Sequence, residues 1–290
     1  MISSLFGGQW RQTARLTLLD FDVSVHSDVP GAIELIEELY APVQRTGSAP
    51  DALIIGTAFH NSEPGYFTAL GGGVIVRTPA PTVAFAHLVF EANQQAIERS
   101  PHLVRLHAAG VARDGLAVAL PGAMGAGKST LAAGLVAAGL GYITDEVVAL
   151  EPATGAVRAY GKPISLGTAP PELEVPAWHA AHPGRALLGA SGLIPAGVLG
   201  DVVTDSLPLG AVILPTYLPD APTRIERVAP ADGLAAVAAH TFHLDEPGTL
   251  ATLSALLAGV PCYRLVGGSL RAAVDAVLIT LEAEIGAVRR

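Results

Sequence analysis

The 290-residue chain has a single cysteine, Cys262, and only two lysines, Lys128 and Lys162, among its 17 basic residues. One thiol excludes an internal disulfide and suits a reducing, cytoplasmic setting, and its apolar neighbours suggest a packed thiol rather than a nucleophile. A basic patch is also missing. Residues 1–100 carry five basic against ten acidic groups and residues 101–290 twelve against sixteen, which argues against a nucleic-acid partner. The first residues lack the charged flank and apolar stretch of an export signal. The most apolar segment, 186–200, is interrupted by Gly, Ser and Pro and is too short to span a bilayer. No membrane partner is expected. What the chain does have is apolar mass: half of its residues are hydrophobic, ample for one large or two modest cored domains.

Against that background, residues 122–130 stand out. Gly122, Ala123, Met124, Gly125, Ala126, Gly127, Lys128, Ser129 and Thr130 form a complete G-x-x-x-x-G-K-S/T phosphate-binding loop. At this chain's own residue frequencies, about 0.002–0.003 such matches arise by accident, so a chance glycine turn is the weaker reading. The context agrees with a loop of that kind. Leu116 to Leu120 is an apolar run fit for a buried strand, and Thr130 onward is a run of helix formers. Strand, loop and helix in that order turn backbone N–H groups and a positive dipole end towards a phosphate. Lys128 then reaches the β- and γ-phosphates of ATP, and Ser129 offers its hydroxyl to Mg²⁺. A chain that otherwise meets its need for positive charge with arginine keeps one of two ammonium groups here, which draws attention to Lys162 as well.

Phosphoryl transfer also needs carboxylates, one to help hold Mg²⁺ and one to take the proton of the attacking hydroxyl. Asp145 and Glu146 follow an apolar strand sixteen residues beyond Ser129 and are the obvious pair. Asp145 is expected as base and metal-side carboxylate, with Glu146 assisting. His107 interrupts an apolar strand next to the loop's own strand; by its chemistry alone it is more often a hydrogen-bonded structural residue. The pairs His179/His182 and His240/His243 have no accompanying cysteine and read as surface or packing histidines. Lys162 and Arg185 are further groups that could reach the transferring phosphoryl or the acceptor.

The first hundred residues read as a small α/β unit: a strand at 19–25, a helix at 31–40 N-capped by Asp28, strands at 52–56 and 73–77, and a helix at 82–98 with Phe85, Leu88, Val89 and Ala92 on one face. Gly71 to Gly73 reads as a hairpin turn. A boundary is placed near residue 100. Beyond it, strands at 103–111, 116–120, 142–144, 147–150 and 157–160 precede a Pro- and Gly-rich stretch, 169–209, expected as a mobile cover. Strands at 211–214, 223–228 and 261–265, helices at 231–240 and 248–258, and a last helix capped by Ser269 complete a mixed sheet.

Several of these runs, taken in order, resemble one family. Leu106-His-Ala-Ala-Gly-Val, then Leu120-Pro-Gly-Ala-Met-Gly-Ala-Gly-Lys-Ser-Thr, then Tyr142-Ile-Thr-Asp-Glu are similar to the HPr kinase/phosphorylase family. They are closer still to HPr-kinase-related proteins of ribosomally made peptide pathways, including lasso peptide kinases. Gly161-Lys-Pro-Ile-Ser-Leu, Val212-Ile-Leu-Pro and Pro261-Cys-Tyr-Arg-Leu fall in matching order, so the resemblance covers about residues 100–290. It implies a P-loop domain (101–290) of the phosphoenolpyruvate carboxykinase-like type behind a small α/β domain (1–100). It also implies ATP and Mg²⁺ as cofactors, and a kinase acting on a serine of a protein or peptide. His107 becomes an active-site residue by that resemblance, and the family's acidic pair maps onto Asp145 and Glu146. Self-association is a further implication. The usual Asp-Asp is Asp-Glu here, and no Glu-Ile-Arg-Gly stretch follows, which speaks against HPr as acceptor and against a reverse phosphorylase activity. The residues alone leave two other readings open: a kinase for a small hydroxylated molecule such as an amino acid or sugar, and a non-catalytic ATP-binding module.

Overall fold

The computed structural model describes residues 9–60, 63–167, 169–175, 177–178, 180–189 and 192–288. It is a mixed α/β protein that divides into two compact units, Met1–Pro101 with Pro176–Val198, and His102–Val175 with Leu199–Arg290. The stretch 169–209 is therefore not one piece, because its middle belongs with the first hundred residues. Among the described residues, no helix is long and apolar enough to cross a membrane.

The first unit is built on seven strands: β1 (Arg11–Gln12), β2 (Arg15–Leu18), β3 (Phe21–Ser27), β4 (Gln44–Arg45), β5 (Asp51–His60), β6 (Glu63–Leu70) and β7 (Gly73–Thr78). They run in the order β4-β2-β3-β5-β6-β7, with β1 on β3. Among the described residues only β3 and β5 pair in parallel in this sheet, and α1 (Ala32–Leu39) lies in the connection between them. Leu19, expected inside a strand, sits in the β2–β3 turn at φ 54°. Asp28, expected to cap the helix, instead accepts hydrogen bonds from the Thr57 N–H and hydroxyl at 2.7 and 2.5 Å, and α1 starts after Gly31. The turn at Gly71 and Gly72 joins β6 to β7, both glycines having positive φ. Helix α2 (Pro81–Glu98) buries Phe85, Leu88, Val89 and Ala92, the face read from the sequence, together with Ala84, Ala96 and Ile97.

The second unit is organised around β8 (Val104–Arg113). It turns at Asp114 and Gly115, both of positive φ, into antiparallel β9 (Leu116–Pro121). The glycine loop and α3 (Lys128–Ala137) follow, then β10 (Gly141–Thr144), β11 (Val147–Leu150), β12 (Ala156–Val157) and β13 (Ile164–Ser165). Helix α4 (Arg185–Leu188) and β14 (Leu193–Ile194) lie in the portion that joins the first unit. Strands β15 (Leu207–Tyr217), β16 (Arg224–Arg227) and β17 (Cys262–Gly267) and helices α5 (Pro230–Ala238), α6 (Thr249–Leu256) and α7 (Leu270–Val288) complete the chain. β15 runs parallel to both β9 and β17, while β8, β10, β11 and β16 pair antiparallel, so the sheet is mixed. An apolar cluster including Leu106, Ile143, Val148, Leu150, Val212 and Leu253 fills its core. The Ser269 hydroxyl accepts the Ala272 N–H at 3.4 Å, at the start of α7.

Two features of this sheet place the site. β10 and β11 lie end to end along one edge of β8, and the chain bends between them at Asp145 and Glu146. Along the other edge, β9 pairs with β8 only as far as Ala108, opposite Pro121. Residues 240–242 then take over that edge: the His107 N–H donates to the His240 carbonyl at 2.7 Å, and the Phe242 N–H to the Arg105 carbonyl at 2.8 Å. The glycine loop leaves the sheet at the seam between β9 and this segment.

Candidate functional site

Local geometry explains the glycines of the loop. Gly125 and Gly127 have φ of 80° and 88°, a region costly for a side-chain-bearing residue. Gly122 is closely packed instead: a Cβ there would sit 3.2 Å from the Ala126 Cβ, a tight contact, and 3.6 Å from the Lys128 Cγ. Ala123, Met124 and Gly125 are exposed and Ala126 and Gly127 half-buried, so the loop is open above. Helix α3 begins at Lys128 without a side-chain cap, leaving the N–H groups of its first turn free of intrahelical partners.

Lys128 lies under the loop, 6% exposed, its Nζ donating to the carbonyls of Gly122 at 2.8 Å and Ala123 at 3.0 Å. Burial pushes its pKa below the ordinary value, opposed by the charges of Glu146 and Asp145. Ser129 and Thr130 are half-buried in the first turn of α3.

The two carboxylates of the bend have different surroundings. Asp145 is 3% exposed and both of its oxygens are engaged: Oδ1 accepts from the Tyr142 hydroxyl at 3.0 Å and from Lys162 Nζ at 2.5 Å, and Oδ2 from the Ser165 N–H at 2.7 Å. Lys162, 1% exposed, also donates to the Pro163 carbonyl at 2.8 Å. Burial and the neighbouring Asp145 raise the Tyr142 pKa far above its ordinary value, so the phenol stays protonated as a donor. Neither contact was legible in the sequence: Lys162 is tied to Asp145 in a buried ion pair, and both Asp145 oxygens are engaged. Glu146 is only half-buried. Burial raises its pKa above 4.5, partly offset by Lys162 and, more weakly, by Lys128, while Asp145 adds to the rise.

His107 stands at the seam, with its ring centroid 6.0 Å from that of Phe242. Burial first, then the charges of Lys128 and His240, hold its imidazole below the ordinary pKa. His240 is lowered by burial and by Lys128 in turn. No local signal singles out His240, since its neighbourhood is made by a pairing across 133 positions of chain. His243 is exposed and 4.0 Å from Glu246, and His179 lies outside the described residues. His182 pairs with Glu38 at 3.1 Å within the first unit. Arg185, expected near the transferring phosphoryl group, also belongs to the first unit, where its Nη1 donates to the Ala180 carbonyl at 3.3 Å.

Among the described residues, no group of three or more His, Cys, Asp or Glu side chains could hold a metal unaided. A cavity of about 730 Å³ lies at the far end of β8 and β9, around Arg113, Asp114 and Asp205, away from the loop. Its one guanidinium is already engaged by Glu282 and the Leu278 carbonyl. A smaller cavity of about 240 Å³ adjoins the loop and is lined by His107, Gly122 to Met124 and Ala239 to Phe242.

No family model matches the chain. No curated protein matches it in sequence. Among solved structures, the Hpr(Ser) kinase/phosphatase from Coxiella burnetii aligns with 64% of this chain and 95% of its own, at 14% identity and a TM-score of 0.29.

Proposed function

We propose that the chain is an ATP-dependent kinase that transfers the γ-phosphoryl group to a serine hydroxyl of a protein or peptide. One observation carries the reading: a buried ammonium, Lys128, lies directly beneath an open glycine loop at a helix N-terminus, with the half-buried Glu146 acting on it electrostatically. The residues present fit the nucleotide and its metal. Loop N–H groups and the start of α3 receive phosphate oxygens, and Lys128 exchanges its two carbonyl partners for them. Mg²⁺ needs only one or two protein ligands beside phosphate and water, so the Ser129 hydroxyl would suffice without a dedicated cluster. When bound, it neutralises charge on the phosphoryl oxygens.

The bend divides two tasks between its carboxylates. Glu146 takes the proton of the acceptor hydroxyl as that oxygen bonds to phosphorus and the bridging oxygen leaves with ADP. A carboxylate with a raised pKa suits the work, because a base is most effective when its pKa approaches the working pH. Asp145 positions: with Lys162, Tyr142 and Ser165 it fixes the bend that carries Glu146. His107, neutral near pH 7, orients the acceptor. The resemblance of residues 106–146 to HPr-kinase-related proteins supports serine as the acceptor.

The test is incubation with Mg²⁺ and γ-labelled ATP, beside one pool of serine-containing peptides and one of amino acids and sugars. Label on peptides from the wild-type protein, absent with Lys128→Ala, supports the reading. Label on metabolites alone, or ATP left intact with every acceptor, overturns it.

A further inference from the structure

The cavity beside the glycine loop has an orientation. Lys128 Nζ hydrogen-bonds the carbonyls of Gly122 and Ala123, so the ammonium that serves the β- and γ-phosphates lies at the edge of the loop that also lines this cavity. The terminal phosphoryl group of a bound nucleotide is therefore expected on this side. The opposite wall is Ala239 to Phe242, held on β8 by the His107–His240 and Phe242–Arg105 backbone hydrogen bonds. His107 forms part of the lining between them, and Met124, 92% exposed, stands at the rim.

Resting on the kinase reading above, we propose that this cavity is the acceptor subsite. A peptide serine enters between the loop and residues 239–242, its hydroxyl meets the His240 imidazole, and the adjoining apolar residue of the peptide lies on Phe242 and Met124. The chemistry of the walls supports that occupant. Both imidazoles are partly buried and face the positive charge of Lys128, which keeps them neutral at pH 7, able to accept from a hydroxyl on one ring nitrogen and to donate from the other. The Thr241 hydroxyl donates its proton to the Val237 carbonyl at 3.0 Å, so on this wall His240 is the side chain that can both accept from and donate to the acceptor. Phe242 and Met124 add an aromatic face and a pliable thioether, surfaces suited to an apolar side chain.

The experiment uses the full chain, Mg²⁺, γ-labelled ATP and a degenerate library of octapeptides, each with one central serine and varied flanks. The best-labelled peptide then serves for steady-state kinetics with His240→Ala, His240→Gln and Phe242→Leu, each checked for folding by thermal melting. We expect the library to select apolar residues beside the serine. In His240→Ala, the peptide KM rises about tenfold, the equivalent of one lost hydrogen bond, while the Kd for ATP stays within about twofold. His240→Gln restores part of the loss, and Phe242→Leu weakens the flank preference. A folded His240→Ala protein with unchanged peptide KM, or with ATP affinity reduced as much as peptide affinity, overturns the subsite while leaving the kinase reading intact. Wild-type protein that binds ATP yet labels no peptide overturns both.

Discussion

The glycine loop and the bend at Asp145 and Glu146 flank the same strand, β8, and treat their polar groups in opposite ways. The loop is open, its helix has no side-chain cap, and its lysine donates to two carbonyls of the loop itself. The bend, three residues after Tyr142, encloses Asp145 with three donors, one of them its buried counter-ion Lys162. Glu146, one position on, combines a raised pKa with partial exposure. The fold satisfies one carboxylate fully and leaves its neighbour partly exposed, and the proposed division of roles rests on that difference.

That contrast can be tested by removing its members in turn. The largest effect is expected from Lys128→Ala, which takes the ammonium from beneath the loop: phosphoryl transfer falls below detection in the labelled-ATP assay, and calorimetry shows weakened binding of the magnesium nucleotide. Glu146→Gln is expected to lower turnover by about 10²–10⁴-fold, the range for loss of a general base, with nucleotide affinity unchanged.

The same variant has a signature in stability. Because folding raises the Glu146 pKa above 4.5, the folded state holds its proton more tightly, and ionisation costs stability as pH rises from about 4.5 through the folded value. Glu146→Gln removes that cost. Its melting temperature is therefore expected above wild type at pH 7 and level with it below about pH 4, and a lower melting temperature at pH 7 contradicts the assignment.

Asp145→Asn tests the other half of the comparison. It leaves the Lys162 ammonium buried without its counter-ion, a change that costs about 3–5 kcal/mol in denaturant unfolding. Adding Lys162→Met to that variant recovers part of the loss, since no unpaired charge then remains buried. Additive losses in the double variant would show that the two residues do not act as a pair. The smallest effect belongs to Gly127→Ala, where φ of 88° and the Tyr217 Cβ 3.3 Å away cost about 1–2 kcal/mol and loosen the loop.

Much of the second unit was legible because its signals are local. The order strand, glycine loop, helix follows from positions that need positive φ and from the neighbouring runs of strand and helix formers, and β11 spans the expected 147–150. The sequence predicts β15 only over 211–214, since Pro208, Gly210 and Pro215 look like breaks, yet parallel pairing with β17 carries the strand through Pro215 to Tyr217. β6 was missed for a similar reason, with Pro64 and Gly65 near its start; pairing with β5 and β7 outweighs their poor strand preference.

The amino-acid order alone determined the phosphate-loop motif, the acidic pair beyond it and the apolar faces of several elements, since each depends on residues within a few positions of one another. The tertiary structure decided which groups are free to act. Asp145 is tied up by Lys162, seventeen residues on, and His240 reaches the loop's edge through β8, 133 residues back. Contacts of that kind depend on how strands pair and what they bury, which no short window of sequence contains.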